Sequence, residues 1–141
     1  MNRTRNEERT LPYVVLDVFT PTRLQGNPLA VFPDSSAVSD AEMQAIAREL
    51  NLSETVFLLP SAHKDAVARA RIFTPKRELD FAGHPTIGSA CVLADRYALP
   101  DAFAIEERVG LVPIRTERSS DGGRLFWLTT PNLKFHETLE A

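Results

Sequence analysis

From Gly83 to Ala94 the chain reads Gly-His-Pro-Thr-Ile-Gly-Ser-Ala-Cys-Val-Leu-Ala. A first helical turn accepts proline, whose missing N–H has no partner to lose there. Small and apolar residues then follow on every face, and a helix without a polar face has to be buried.

The rest of the chain supplies mostly strands. Tyr13 to Phe19 alternates and is rich in β-branched and aromatic residues, until Pro21 breaks it. Leu24-Gln25-Gly26-Asn27-Pro28 reads as a turn, and Leu29 to Phe32 as a second, mostly buried strand, so the two strands suggest a hairpin. Ser39 with Glu42 three residues on is a capping-box pattern, and Met43, Ile46, Ala47 and Leu50 continue it at helical spacing, with Asn51 placed to end the helix. Thr55 to Leu59, Val67 to Phe73, Phe103 to Glu107, Leu111 to Thr116 and Leu125 to Thr129 read as further strands. Gly110 and the turn-forming Ser119-Ser120-Asp121-Gly122-Gly123 separate the last three. Runs of strands with two helices predict an α+β fold with a largely antiparallel or mixed sheet.

A length of 141 residues suits one domain, expected over 11–141. Residues 1–10 carry charges with no apolar run behind them, so they are expected to form a frayed tail, neither a signal peptide nor an anchor. No apolar run reaches the about 18 residues that span a bilayer. The sixteen basic residues are scattered and the net charge is −3, which gives nothing to track a phosphate backbone, so no nucleic-acid partner is expected. A single cysteine, Cys91, excludes an internal disulfide framework and fits a reducing, cytoplasmic setting.

Few side chains are placed for chemistry. Glu54 stands where a helix gives way to a strand, rigidly held within reach of a cleft, or else is a solvated surface glutamate. Phe81-Ala82-Gly83-His84-Pro85-Thr86 opens a helix behind a glycine, and its free N–H groups make a site for a carboxylate. His84 there either serves a substrate or caps the helix structurally. Cys91 lies seven positions further on, about 10 Å along the axis, too far for His84 to activate it. His63, His84 and His136 lack metal-ligand spacing. Arg69 and Arg71 share a strand face and either bind an anion or, more commonly, form surface ion pairs. From composition alone Gly26-Asn27-Pro28 is a turn.

Taken together, Leu16-Asp17-Val18-Phe19-Thr20, Leu24 to Phe32, Met43-Gln44, Ala47 to Thr55, Arg71-Ile72-Phe73-Thr74-Pro75 and Phe81 to Thr86 resemble the PhzF-like phenazine biosynthesis family in order and spacing. The resemblance runs from about Tyr13 to about Pro131. It implies one half of a fold similar to diaminopimelate epimerase, in which each half wraps a sheet around a central helix and the active site lies between halves. It further implies that Glu54 is the proton-transferring carboxylate, that His84 contacts substrate, and that Asn27, Ser53 and Gly83 line the pocket. The implied activity is isomerisation of a small cyclic carboxylic acid of the trans-2,3-dihydro-3-hydroxyanthranilate type, with no cofactor. The family's second half, which supplies the opposite wall, has no counterpart in this sequence. Either the chain is a fragment of a longer protein, or that wall comes from a partner, for which a separate C-terminal half or a second copy in a homodimer is expected. A non-catalytic module that binds a small acid or assembles with a partner is the competing expectation. A hydrolase using Cys91 or Ser53 is weaker, since no base is placed for either.

Overall fold

The structure is a computed structural model that describes residues 9–132. Among these, eight strands and two helices follow in the order β1 (Val14–Val18), β2 (Asn27–Phe32), α1 (Asp40–Leu50), β3 (Thr55–Leu59), β4 (Ala68–Phe73), β5 (Glu78–Leu79), α2 (Gly83–Arg96), β6 (Ala102–Glu107), β7 (Gly110–Arg118) and β8 (Arg124–Leu128). The frayed tail expected over 1–10 lies outside the described residues except for Arg9 and Thr10. Arg9 bonds to the Ala37 carbonyl and pairs with Glu42 at 2.7 Å.

The strands form one mixed sheet in the order β1-β2-β3-β4-β6-β7-β8, with β5 paired to β4. β1 and β2 are the expected antiparallel hairpin. Two pairs are parallel, β2 with β3 and β4 with β6, and each is joined by a helix, as a parallel connection requires. Both crossovers advance in the same lateral direction, but β3 and β4 are antiparallel, so β2 and β4 run oppositely. Right-handed connections then place α1 and α2 on opposite faces of the sheet.

The strand alternation follows those two faces. Leu29 and Val31, Val56 and Leu58, Ala68, Ala70 and Ile72, Ile105, Val112 and Ile114 form one cluster with Ala90, Val92 and Leu93 of α2. Phe32, Phe57 and Phe73 form the other, with Met43 and Ala47 of α1. α2 contacts both outer strands, β1 and β8, so the sheet curves around it. Gly88 makes that approach possible. A Cβ there would lie 2.4 Å from Leu29 Cδ2 and 3.1 Å from Val18 Cγ2.

α1 has the expected caps. Ser39 Oγ accepts from the Glu42 N–H, Glu42 accepts from the Ser39 N–H at 2.8 Å, and Asn51 closes the helix in the left-handed region at φ 52°. One expectation needs correction. The turn predicted through Pro28 ends earlier, because Asn27 and Pro28 already pair with Val18 and Asp17 in β2; proline is tolerated at a strand's beginning, where a missing N–H matters least. The two-residue β5 has no pattern long enough to be read.

Candidate active site at the start of α2

The parallel register Ala30↔Thr55 puts the beginnings of β2 and β3 at the same end of the sheet. β4 arrives at that end antiparallel, with Phe73 opposite Thr55, and β5 turns the chain back toward the start of α2. Asn27, Ser53, Glu54, Gly83 and His84 are thereby carried to one end of the molecule from three separate stretches of sequence. Asn27 belongs to the alternating set of Leu29 and Val31, which faces α2. Glu54 continues the set of Val56 and Leu58.

Glu54 and His84 meet there. Glu54 Oε2 lies 3.4 Å from His84 Nε2, and the two side chains are only 17% and 13% exposed. Both atoms are buried without a hydrogen bond. A fully solvated surface glutamate would leave both oxygens open to water, whereas Glu54 Oε2 is covered.

The start of α2 has no side-chain cap from Ala82, and the first N–H groups of a helix have no partner within it. Pro85 contributes no donor, which leaves Gly83 and His84 to supply the N–H groups of that turn. A Cβ built on Gly83 would meet nothing within 4 Å, so the space in front of this turn is open. Asn27 and Ser53 are exposed on the same end. The surface hollow lined by Asp17, Thr20, Leu24 and Pro28, and that lined by Arg9, Pro33 and Arg96, include neither Glu54 nor His84.

The other candidates separate from this place. Arg69 and Arg71 alternate with Ala68, Ala70 and Ile72 and so occupy the α1 face. Arg71 makes two 2.8 Å bonds to Glu78 and pairs with Asp40, which raises its pKa. Cys91 is half-buried on α2, and burial raises its thiol pKa. His63 lies 3.9 Å from Asp65, and His136 is outside the described residues. Among the described residues no three metal-type side chains converge.

Sequence reasoning missed Glu107. It is 4% exposed, and its Oε1 lies 2.6 Å from Thr86 Oγ1 in the first turns of α2. The available signal was period two: Glu107 continues Phe103 and Ile105, the inward set of β6.

Comparison with known proteins sets this geometry in a family. The family model described as phenazine biosynthesis-like protein, PhzC-PhzF, matches residues 16–139. A trans-2,3-dihydro-3-hydroxyanthranilate isomerase of Pseudomonas aeruginosa is 49% identical over 106 residues, which cover 75% of this chain and 37% of that protein. The crystal structure of a PhzF-family phenazine biosynthesis protein from Bacillus anthracis superposes with a TM-score of 0.77 at 32% identity, over 84% of this chain and 40% of the other. A probable proline racemase from Agrobacterium radiobacter, at 18% identity and a TM-score of 0.59 over 79% of this chain and 38% of the other, shares the fold alone. This chain spans well under half the length of each of these proteins. With a model match across nearly all of its length and a mixed sheet curved around a buried helix, the chain belongs to the phenazine biosynthesis-like family and has the α+β fold of a diaminopimelate epimerase-like half.

Proposed function

We propose that this chain contributes the proton-transferring wall of a cofactor-independent isomerase acting on a small cyclic carboxylic acid. The trans-2,3-dihydro-3-hydroxyanthranilate type is the substrate class of its Pseudomonas relative. The observation that carries the proposal is the Glu54–His84 pair, whose facing atoms lie 3.4 Å apart, buried and unbonded, at a helix start where a Cβ on Gly83 would meet nothing within 4 Å. The Gly83 and His84 N–H groups take the substrate carboxylate, favoured by the helix dipole. Glu54 removes a proton from one ring carbon, its carboxyl exchanges that proton with solvent, and it then delivers a proton to another carbon, so it ends the cycle as it began. His84 Nε2 holds Glu54 and the substrate in register. Asn27 and Ser53 border the same space, and a second half or a second copy closes it.

A second reading, a non-catalytic module that binds a small acid or assembles with a partner, is favoured by the exposed apolar side chains near the site. Phe19 is 69% and Leu24 93% exposed, and both are held at positive φ. Deuterium uptake from solvent into the substrate separates the two readings. An isomerase incorporates label, and Glu54→Gln abolishes it while the fold persists; a binding module retains ligand and incorporates none with either side chain.

A further inference from the structure

Thr86 Oγ1 has two close oxygen neighbours, the Ala82 carbonyl at 2.7 Å and Glu107 Oε1 at 2.6 Å. A hydroxyl has one proton to give, and a backbone carbonyl can only accept. If Glu107 were a carboxylate, two acceptors would compete for that one proton at distances typical of full O–H···O bonds. A carboxylic acid removes the conflict: Glu107 donates to Thr86 Oγ1, and Thr86 donates to Ala82. The other carboxyl oxygen fits the same assignment. Glu107 Oε2 is buried and unbonded, which is far less costly for the carbonyl oxygen of a neutral acid than for half of a buried anion.

We infer that Glu107 is a positioning residue whose neutral carboxyl, through Thr86 and the Ala82 carbonyl, locks the first turn of α2 on which Gly83 and His84 stand. Ala82 is the N-cap residue, and its carbonyl accepts from both the Thr86 N–H and the Thr86 hydroxyl. The relay therefore anchors the last residue before the proposed carboxylate site to the strand at α2's back.

The surroundings suit a neutral acid. β7 turns Val112, Ile114 and Thr116 inward, none of them charged. Across the hairpin, Glu107 pairs with Gly110. The titratable groups of α2 are His84 in its first turn and Cys91, Asp95 and Arg96 further along. Arg108 next to it is engaged with Asp80 and Glu78. Burial accordingly pushes the Glu107 pKa up to about 7.

The catalytic meaning of this lock rests on the proposed function, but the lock itself is measured without substrate. In the full chain carrying ¹³C-labelled glutamate, the Glu107 carboxyl signal, identified by its absence in Glu107→Gln, is followed against pH. It should stay in the acid form after the exposed glutamates have ionised; ionisation together with them would overturn the assignment. Exchange of the Thr86 amide then reads the lock. Glu107→Gln keeps a donor and Thr86→Ser keeps the hydroxyl, so both should exchange close to the parent rate. Glu107→Leu and Thr86→Val remove a link and should speed Thr86 exchange about tenfold, the effect of losing one buried hydrogen bond, while amides of β2 and β3 stay protected. Gln behaving like Leu, or Thr86 exchange indifferent to all four changes, would overturn the relay. If Glu107→Leu does not fold, the Thr86 variants and the wild-type carboxyl titration still decide. Failure of the isomerase reading shows instead as absent turnover with the relay intact.

Discussion

Glu107 also gives the protein a stability that depends on pH in a known direction. Its ordinary value is 4.5 and its folded value about 7, so between those limits the folded state holds a proton that the unfolded state has released. The contribution is complete below 4.5 and is lost as pH rises to about 7, on the order of 3 kcal/mol at about 1.4 kcal/mol per pH unit. Thermal melts should show the wild type losing roughly 10 °C more than Glu107→Gln between pH 5 and pH 8. Parallel pH profiles for the two proteins would remove Glu107 from the account. This residue was legible in principle, because a carboxylate at the inward position of an alternating strand is a conflict that a partner must resolve. The Glu54–His84 contact was not legible from spacing. Thirty residues separate the two, and only the parallel β2–β3 register and the return through β5 bring them to one end. From position alone an exposed surface residue is the commoner outcome for Glu54, and only the family resemblance points to a role for it.

At the scale of elements, local chemistry is sufficient for most of the fold. The Ser39–Glu42 box and Asn51 delimit α1, the Tyr13–Phe32 region forms its hairpin, and Gly83 to Ala94 forms the buried helix as its uniform small-apolar face demands. What local patterns do not carry is pairing order. The pairing of β6 with β4 is one such choice, and only with that order and the strand directions in hand does crossover handedness assign α1 and α2 to opposite faces. Two substitutions test this level. Ser39→Ala removes one arm of the capping box and should cost about 1 kcal/mol in denaturant unfolding. Gly88→Ala should also destabilise, by about 1–3 kcal/mol, although alanine is the better helix former, because its Cβ would intrude on Leu29 and Val18 where neither can retreat from a filled core. A stabilised Gly88→Ala protein would show that α2 does not lie as close to β2 as described.

At the scale of the whole molecule, the arrangement is one-sided. Glu54, His84 and the Gly83 turn stand at one end of the sheet, with room beside Gly83 for a Cβ, in a chain that matches 37% of the length of its Pseudomonas relative. Proton transfer at carbon depends on positioning and on exclusion of water, which one wall supplies incompletely. The chain alone is therefore expected to fold yet turn over substrate poorly, and to associate with a second copy or a complementary half through apolar surface that includes Phe19 and Leu24. Light scattering beside an isomerase assay checks both expectations, and a monomer with ordinary enzyme rates would contradict them. The central claim, that Glu54 moves the proton, is tested most directly by solvent deuterium incorporation into trans-2,3-dihydro-3-hydroxyanthranilate by the assembled enzyme and its Glu54→Gln variant. The account predicts label in the product with Glu54 and a loss of at least about a hundredfold in the variant, with the fold unchanged; a variant that keeps more than about a tenth of the parent rate would contradict it.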